Sequence, residues 1–181
     1  MELGEICILV GGGTPSKSVR EFWTNGKVKW LSAKHINENN KVVGYDLISN
    51  EAVKKSATNI IPKGSILFVT RVSVGKLTLS DDNYAINQDL TGIILKSDKL
   101  DLKFLFCFLR TQSKNIANAA QGLGVKGISR KYLASFKIPL PLLEIQKQLI
   151  AEAEMEEEII NSDKKLIGIM ERKIQAIPDE I

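Results

Sequence analysis

The residues able to do chemistry in this 181-residue chain are few. There is one histidine, His35, and there are two cysteines, Cys7 and Cys107. One glycine-rich run also stands out, Gly11-Gly12-Gly13-Thr14-Pro15-Ser16-Lys17. A histidine can serve as a general base or metal ligand, but a triad or metal site needs matched partners, and no second histidine exists. His35 is therefore read as a surface or hydrogen-bonded structural histidine. The cysteines lack a Cys-x-x-Cys partner and sit in apolar contexts, as in Phe106-Cys107-Phe108. They are read as buried, reduced thiols of a cytosolic protein rather than a disulfide. The glycine run lacks the Gly-x-x-x-x-Gly-Lys-Ser/Thr order of a phosphate cradle, and Pro15 removes a backbone N–H that such a cradle needs. A dinucleotide fingerprint and an Asn-Pro-Pro-Tyr-like methyltransferase box are both missing from the sequence. The carboxylates are scattered or crowded toward the C-terminus, where a solvated face explains them. The reading is a non-enzyme, with no catalytic residues, no metal site and no cofactor held by this chain.

Charge points elsewhere. Residues 1–143 carry 20 Lys and Arg against 11 Asp and Glu, a net of +9, within a chain whose total is +4. Residues 144–177 carry five basic against eight acidic residues, a net of −3. A basic body joined to an acidic tail suggests one surface for a polyanion and another for a protein partner. Hydrophobic content of 44% with 25% charged residues is that of a globular protein. No apolar run approaches the roughly 18–20 residues of a membrane span. Glu2, Glu5 and the glycines stand where a signal peptide would have a basic start and apolar core. A cytoplasmic location without membrane contact is expected.

The elements that must position these groups read as α+β: a mixed β-sheet, barrel-like domain over residues 1–143, then one long coiled-coil-type helix over 144–181. Residues 28–31, 65–72, 76–80 and 90–95 are strand candidates, and residues 61–64 a turn. A short helix is expected near 51–56. A longer one is expected over 101–113, with Asp101 as its N-cap and Leu102, Phe104, Leu105, Phe108 and Leu109 facing inward. Residues 119–130 are rich in Gly and polar side chains and are read as a loop. Between Pro141 and Pro178 only Gly168 breaks a long helical pattern. Heptad assignment places Ala153, Ile160, Ile167 and Ile174 at one seam position, and Leu149, Glu156, Asp163, Met170 and Ile177 at the other. Glu156 and Asp163 interrupt that seam and would be costly in a closed core unless partnered. Such a stripe calls for a second helix, in a self-associating or partner-binding arrangement.

Several segments carry a resemblance. Gly12-Gly13-Thr14-Pro15-Ser16-Lys17, Phe22-Trp23 with Gly26, and Val28-Lys29-Trp30-Leu31 resemble the opening of target-recognition domains in type I restriction–modification specificity (S) subunits. The resemblance continues through Ile61-Pro62-Lys63-Gly64-Ser65-Ile66-Leu67, Arg71-Val72-Ser73-Val74-Gly75-Lys76 and Ala85-Ile86-Asn87-Gln88. It closes on Ile138-Pro139-Leu140-Pro141-Leu142-Leu143-Glu144-Ile145-Gln146, which is similar to the family's lead into its long helix. Leu142 replaces the usual second proline, Ile145 stands where Glu is common, and His35 stands where Asp is frequent. Family subunits usually hold two domains and two helices, whereas this chain holds one of each. It is expected to be a natural half-subunit or half of a longer protein.

The resemblance implies a DNA-reading subunit that recognises one half of a split site on double-stranded DNA. It also implies docking to modification (methyltransferase) subunits, which bring S-adenosylmethionine, and to a restriction subunit. Individual DNA contacts are assigned from side-chain chemistry: cations and backbone N–H groups for phosphates, Arg, Asn, Gln and hydroxyls for base edges. The first candidate set is Gln121, Lys126, Ser129, Arg130 and Lys131. A second is Thr70, Arg71, Ser73 and Lys76, and a third is Lys17, Arg20 and Lys34. Asn87 and Gln88 are read as hydrogen-bonding residues at a strand end. Homodimerisation is expected through the helix seam, and helix length is expected to set the gap between half-sites. The alternatives are a stand-alone methyltransferase or nuclease, and a protein-interaction adaptor that makes no DNA contact.

Overall fold

The computed structural model describes residues 1–122 and 127–176, with the side chains of 120–122 excepted. In chain order the elements are α1 (Leu3–Ile6), β1 (Cys7–Gly11), β2 (Val28–Leu31), β3 (Asp46–Ile48), α2 (Asn50–Lys55), β4 (Asn59–Ile61), β5 (Ile66–Val69), β6 (Leu77–Leu79), β7 (Tyr84–Ile86), β8 (Leu90–Leu95), α3 (Leu102–Gly122), α4 (Arg130–Ala134) and α5 (Leu143–Gln175). Two 3₁₀ turns, Arg20–Phe22 and Ala33–His35, flank β2.

The strands form two four-stranded sheets, β1-β8-β5-β6 and β3-β2-β7-β4, rather than a closed barrel. The α+β class and the long terminal helix stand as expected from the sequence. The alternation of side chains along β5 shows how the layers assemble. Ile66 and Phe68 point into a core shared with α3, beside Leu105, Leu109 and Ile116. Leu67 and Val69 point the other way and meet Leu31, Ile61 and Ile86 of the second sheet. The outer face of that second sheet, with Trp30, Ile48 and Ala85, is covered by Phe22 and by Ala52 of α2. Every residue of β5 is therefore buried, which is why that strand reads as an uninterrupted apolar run.

The helix expected over 101–113 extends to Gly122, so part of the loop expected over 119–130 is helical. The physical reason lies in Ile116, which is fully buried and continues the inward stripe of Leu105 and Leu109 past the polar Gln112–Asn115 stretch. Asp101 caps this helix as expected: its Oδ1 accepts from the N–H groups of Lys103 at 2.7 Å and Phe104 at 3.2 Å. The short strands β1, β3, β4 and β7 have no periodic pattern long enough to announce them in the sequence.

Helix α5 leaves the domain in two stages. Over its first four turns it lies along α3. Gln146 is fully buried there, accepting from Asp101 N–H at 2.8 Å and donating to the carbonyls of Lys99 at 2.9 Å and Pro141 at 2.8 Å. Ile150 is buried in the same core, and the pairs Lys103–Glu154 and Arg110–Glu157 follow along the seam. Beyond Glu157 every described residue of the helix is exposed apart from the half-buried Gly168.

Candidate nucleic-acid interface

The third candidate set comes together in space. Lys17, Arg20 and Lys34 line one open groove of about 470 Å³ with Trp23, Thr24 and Asp46. Its walls are fixed by local chemistry. Trp23 donates from its indole N–H to Ser16 O at 3.1 Å and meets Trp30 edge-on, with ring centroids 5.3 Å apart. Thr24 donates its hydroxyl to Arg20 O at 2.9 Å. The preceding glycines seat the loop on β7: Gly13 N–H bonds Ile86 O at 3.0 Å, and a Cβ at Gly12 would lie 1.9 Å from that same oxygen. Only glycine fits there. Lys34 is held by Asp46 at 3.1 Å, while Lys17 and Arg20 are exposed.

His35 lies beneath this groove and is buried. Its Nδ1 accepts the backbone N–H of Ser32 at 3.0 Å, and its Nε2 lies 3.6 Å from Asp46. The imidazole thus supplies the acceptor that an Asp carboxylate would offer at the start of the 3₁₀ turn. Burial lowers its pKa below the ordinary 6.5, opposed by the Asp46 carboxylate. The structural reading of His35 holds.

The second set divides. Thr70 is only 4% exposed, and its hydroxyl bonds Asp89 O at 3.2 Å, so it supports the β5–β6 hairpin and does not reach the surface. Arg71 and Ser73 are exposed at the hairpin tip, and Lys76 pairs with Glu38. Ser73 and Lys76 line a polar cleft of about 510 Å³ together with Asn40, Ser113 and Lys114.

The first set is joined to the second. Gly127 bridges to Arg71, and Ile128 N–H bonds Thr70 O at 2.8 Å. Ser129 caps α4 by accepting Tyr132 N–H at 3.1 Å. Arg130 lays its guanidinium beside Gly11, where an added Cβ would stand 2.9 Å from Cζ. Lys131 is exposed. Lys126 and the side chain of Gln121 lie outside the described residues. Asn87 and Gln88 behave as strand-end residues: Asn87 is buried and bonds Asp89 at 2.7 Å, and Gln88 accepts from Thr14 at 2.7 Å.

Sequence reasoning missed Trp23 as a groove wall, and it missed Asn40, Lys114 and the buried Gln146. Lys114 was hidden because α3 was expected to end beside it. The polar cleft offers hydrogen-bond donors and cations but no catalytic grouping. Among the described residues no cluster of three or more His, Cys, Asp or Glu could hold a metal. Cys7 and Cys107 are free thiols, and burial pushes Cys7 up to about 11, a value incompatible with an activated nucleophile.

The helix presents a separate surface. Leu149, Ile160, Ile167, Met170 and Ile174 are exposed, Ala153 is half-buried, and Ile177 lies outside the described residues. Ile159 and Leu166 widen the bare stripe, and Met155 and Ile169 are exposed on the side of the helix away from it. Gln146, which docks the helix, stands one heptad before Ala153 in the same row, and Leu149 and Ile150 line a cleft with Phe104 and Phe108 of α3. The seam therefore begins against its own domain and is bare beyond Glu157. No described helix is long and apolar enough to cross a membrane.

Residues 1–153 match the family model described as the type I restriction modification DNA specificity domain. The chain is 34% identical over 166 residues to the Escherichia coli type I restriction enzyme EcoR124I/EcoR124II specificity subunit, covering 88% of this chain and 41% of that protein. It is 26% identical over 175 residues to the MjaIX specificity subunit of Methanocaldococcus jannaschii, covering 94% and 40%. Among solved structures, the HsdS subunit from Thermoanaerobacter tengcongensis superposes with a TM-score of 0.72 at 19% identity, over 92% of this chain and 39% of that one. A chain from a type I R-M system gives 0.80 at 18% identity, over 97% and 42%. The chain thus spans about two fifths of the length of these relatives. With both sheets, α1 to α4 and the first turns of α5 inside the matched span, the chain belongs to the type I restriction modification DNA specificity domain family.

Proposed function

We propose that this chain is a non-catalytic specificity component of a type I restriction–modification system. Residues 1–143 form the target-recognition domain, which reads one half of a split double-stranded DNA site. Residues 144–181 form the helix that pairs with a twin and docks modification subunits, with a restriction subunit as a further partner. S-adenosylmethionine is held by the methyltransferase subunit and not by this chain, and the assembly works in the cytoplasm. The observation that carries this reading is the convergence of Lys17, Arg20 and Lys34 on one open groove in a DNA specificity domain. Exposed cations on a rigid scaffold neutralise phosphates and release counterions, which gives affinity a steep salt dependence.

The 33 residues of α5 span about 50 Å at 1.5 Å per residue. Two copies packed antiparallel about a twofold axis would hold two recognition domains apart and favour an interrupted, palindromic target. Deleting one heptad should shorten the gap between half-sites, by up to about three base pairs given about 10 Å of helix.

A mobility shift of the full chain with double-stranded DNA across a salt series tests the reading. Retention should fall steeply with salt, and replacing Lys17 and Arg20 by Ala should flatten the slope by about one for each phosphate left without its cation. A complex indifferent to salt would favour the adaptor instead.

A further inference from the structure

Val72 is an anomaly of the surface. It is 69% exposed, and its φ is 47°, followed by Ser73 at 60°. Both lie in the seven-residue connection between β5 and β6, in a left-handed geometry that suits Gly, Asn and Asp and that a β-branched residue fits worst. The next apolar residue, Val74, packs against the core under α3, whereas Val72 belongs to none of the three cores. Among the described residues, no core accounts for valine at the tip.

The tip is held firmly. Asp89 O accepts from Thr70 N–H at 2.8 Å and Arg71 N–H at 3.3 Å, and Gly75 N–H bonds Val69 O at 3.1 Å. Ile128 grips the other side through Thr70 O. Charge around the tip favours a polyanion. Arg71 is exposed beside it, and Lys76 and Lys114 line the adjoining cleft, where Glu38 offsets only Lys76.

We propose that Val72 is a specificity-determining residue whose isopropyl group contacts the 5-methyl group of a thymine in the major groove. This rests on the DNA-reading function proposed above. The methyl is the apolar feature that sets thymine apart on the major-groove edge, and a small apolar side chain is its natural partner. Wedging open a base step is work for larger side chains such as Phe, Leu or Met.

The full chain is used to select duplexes from a randomised double-stranded pool. Each thymine of the selected site is then replaced in turn by deoxyuridine, which removes only the methyl. The wild-type chain should bind about four-fold more weakly at one such replacement, the value of one buried methyl-sized group. Val72→Gly should bind thymine and uracil equally at that position and keep its responses elsewhere. It should melt no lower than wild type, because glycine accepts a φ of 47° freely. A wild-type chain indifferent to every replacement overturns the assignment, as does a V72G chain that keeps the same response. Selection of no sequence at all overturns the DNA-reading function beneath it.

Discussion

Helix α5 is one continuous element with two surroundings. Its first four turns are docked on α3 through a buried glutamine, one buried isoleucine and two ion pairs. Its remainder projects with Ile160, Ile167 and Ile174 bare to solvent. The docked part uses directional hydrogen bonds, which fix an angle. The projecting part offers an apolar stripe, which has no preferred direction and asks only to be covered. A joint and a contact surface thus follow one another along the same helix, on one continuous face. An unpaired helix of this kind gains little from propensity alone, so the projecting part depends on what covers it.

The sharpest way to break that comparison is to remove the stripe. Replacing Ile160, Ile167 and Ile174 together by Ser should abolish self-association in analytical ultracentrifugation while the melting of the domain stays unchanged. Conversely, Glu156→Leu with Asp163→Leu should tighten self-association at least ten-fold, because both acids are exposed within the seam and are costly to bury.

The joint is tested by Gln146→Leu. It leaves Asp101 N–H and the Lys99 and Pro141 carbonyls without their partner, at about 1–3 kcal/mol for each group that stays buried. Urea denaturation should register a loss of about 3 kcal/mol, while sedimentation of the folded fraction remains that of wild type. Arg110→Ala at the edge of the same joint should cost less than about 1 kcal/mol, since its partner Glu157 is exposed and 3.5 Å away.

The smallest effect is set by His35, beside β2 in the two-sheet body. Its pKa is lowered on folding by burial, so the unfolded chain binds the proton more readily. Stability from the neutral imidazole is complete above the unfolded value of 6.5 and is lost as pH falls through it toward the folded pKa. Thermal melts from pH 7.5 to 5.5 should show the wild-type Tm dropping more than that of His35→Asn. An equal drop in both would mean that the imidazole does not set the pH response.

The amino-acid sequence alone determined the α+β class, the division between a cationic body and an acidic helix, the Asp101 cap and the apolar seam. Each of these is local or periodic: a cap needs a few adjacent residues, and a seam repeats along one helix. The same logic made strand 28–31 and the glycine loop legible, because turn chemistry is written in neighbouring residues. What sequence could not supply is which distant groups meet. Tertiary structure closed Lys17, Arg20 and Lys34 around Trp23, buried Thr70 and turned Val72 outward. It also stacked the strands as two sheets instead of a barrel and carried α3 past Ser113 to bury Ile116. Those outcomes depend on pairings between residues far apart in the chain, and short strands paired across such separations leave no periodic trace in the order of residues.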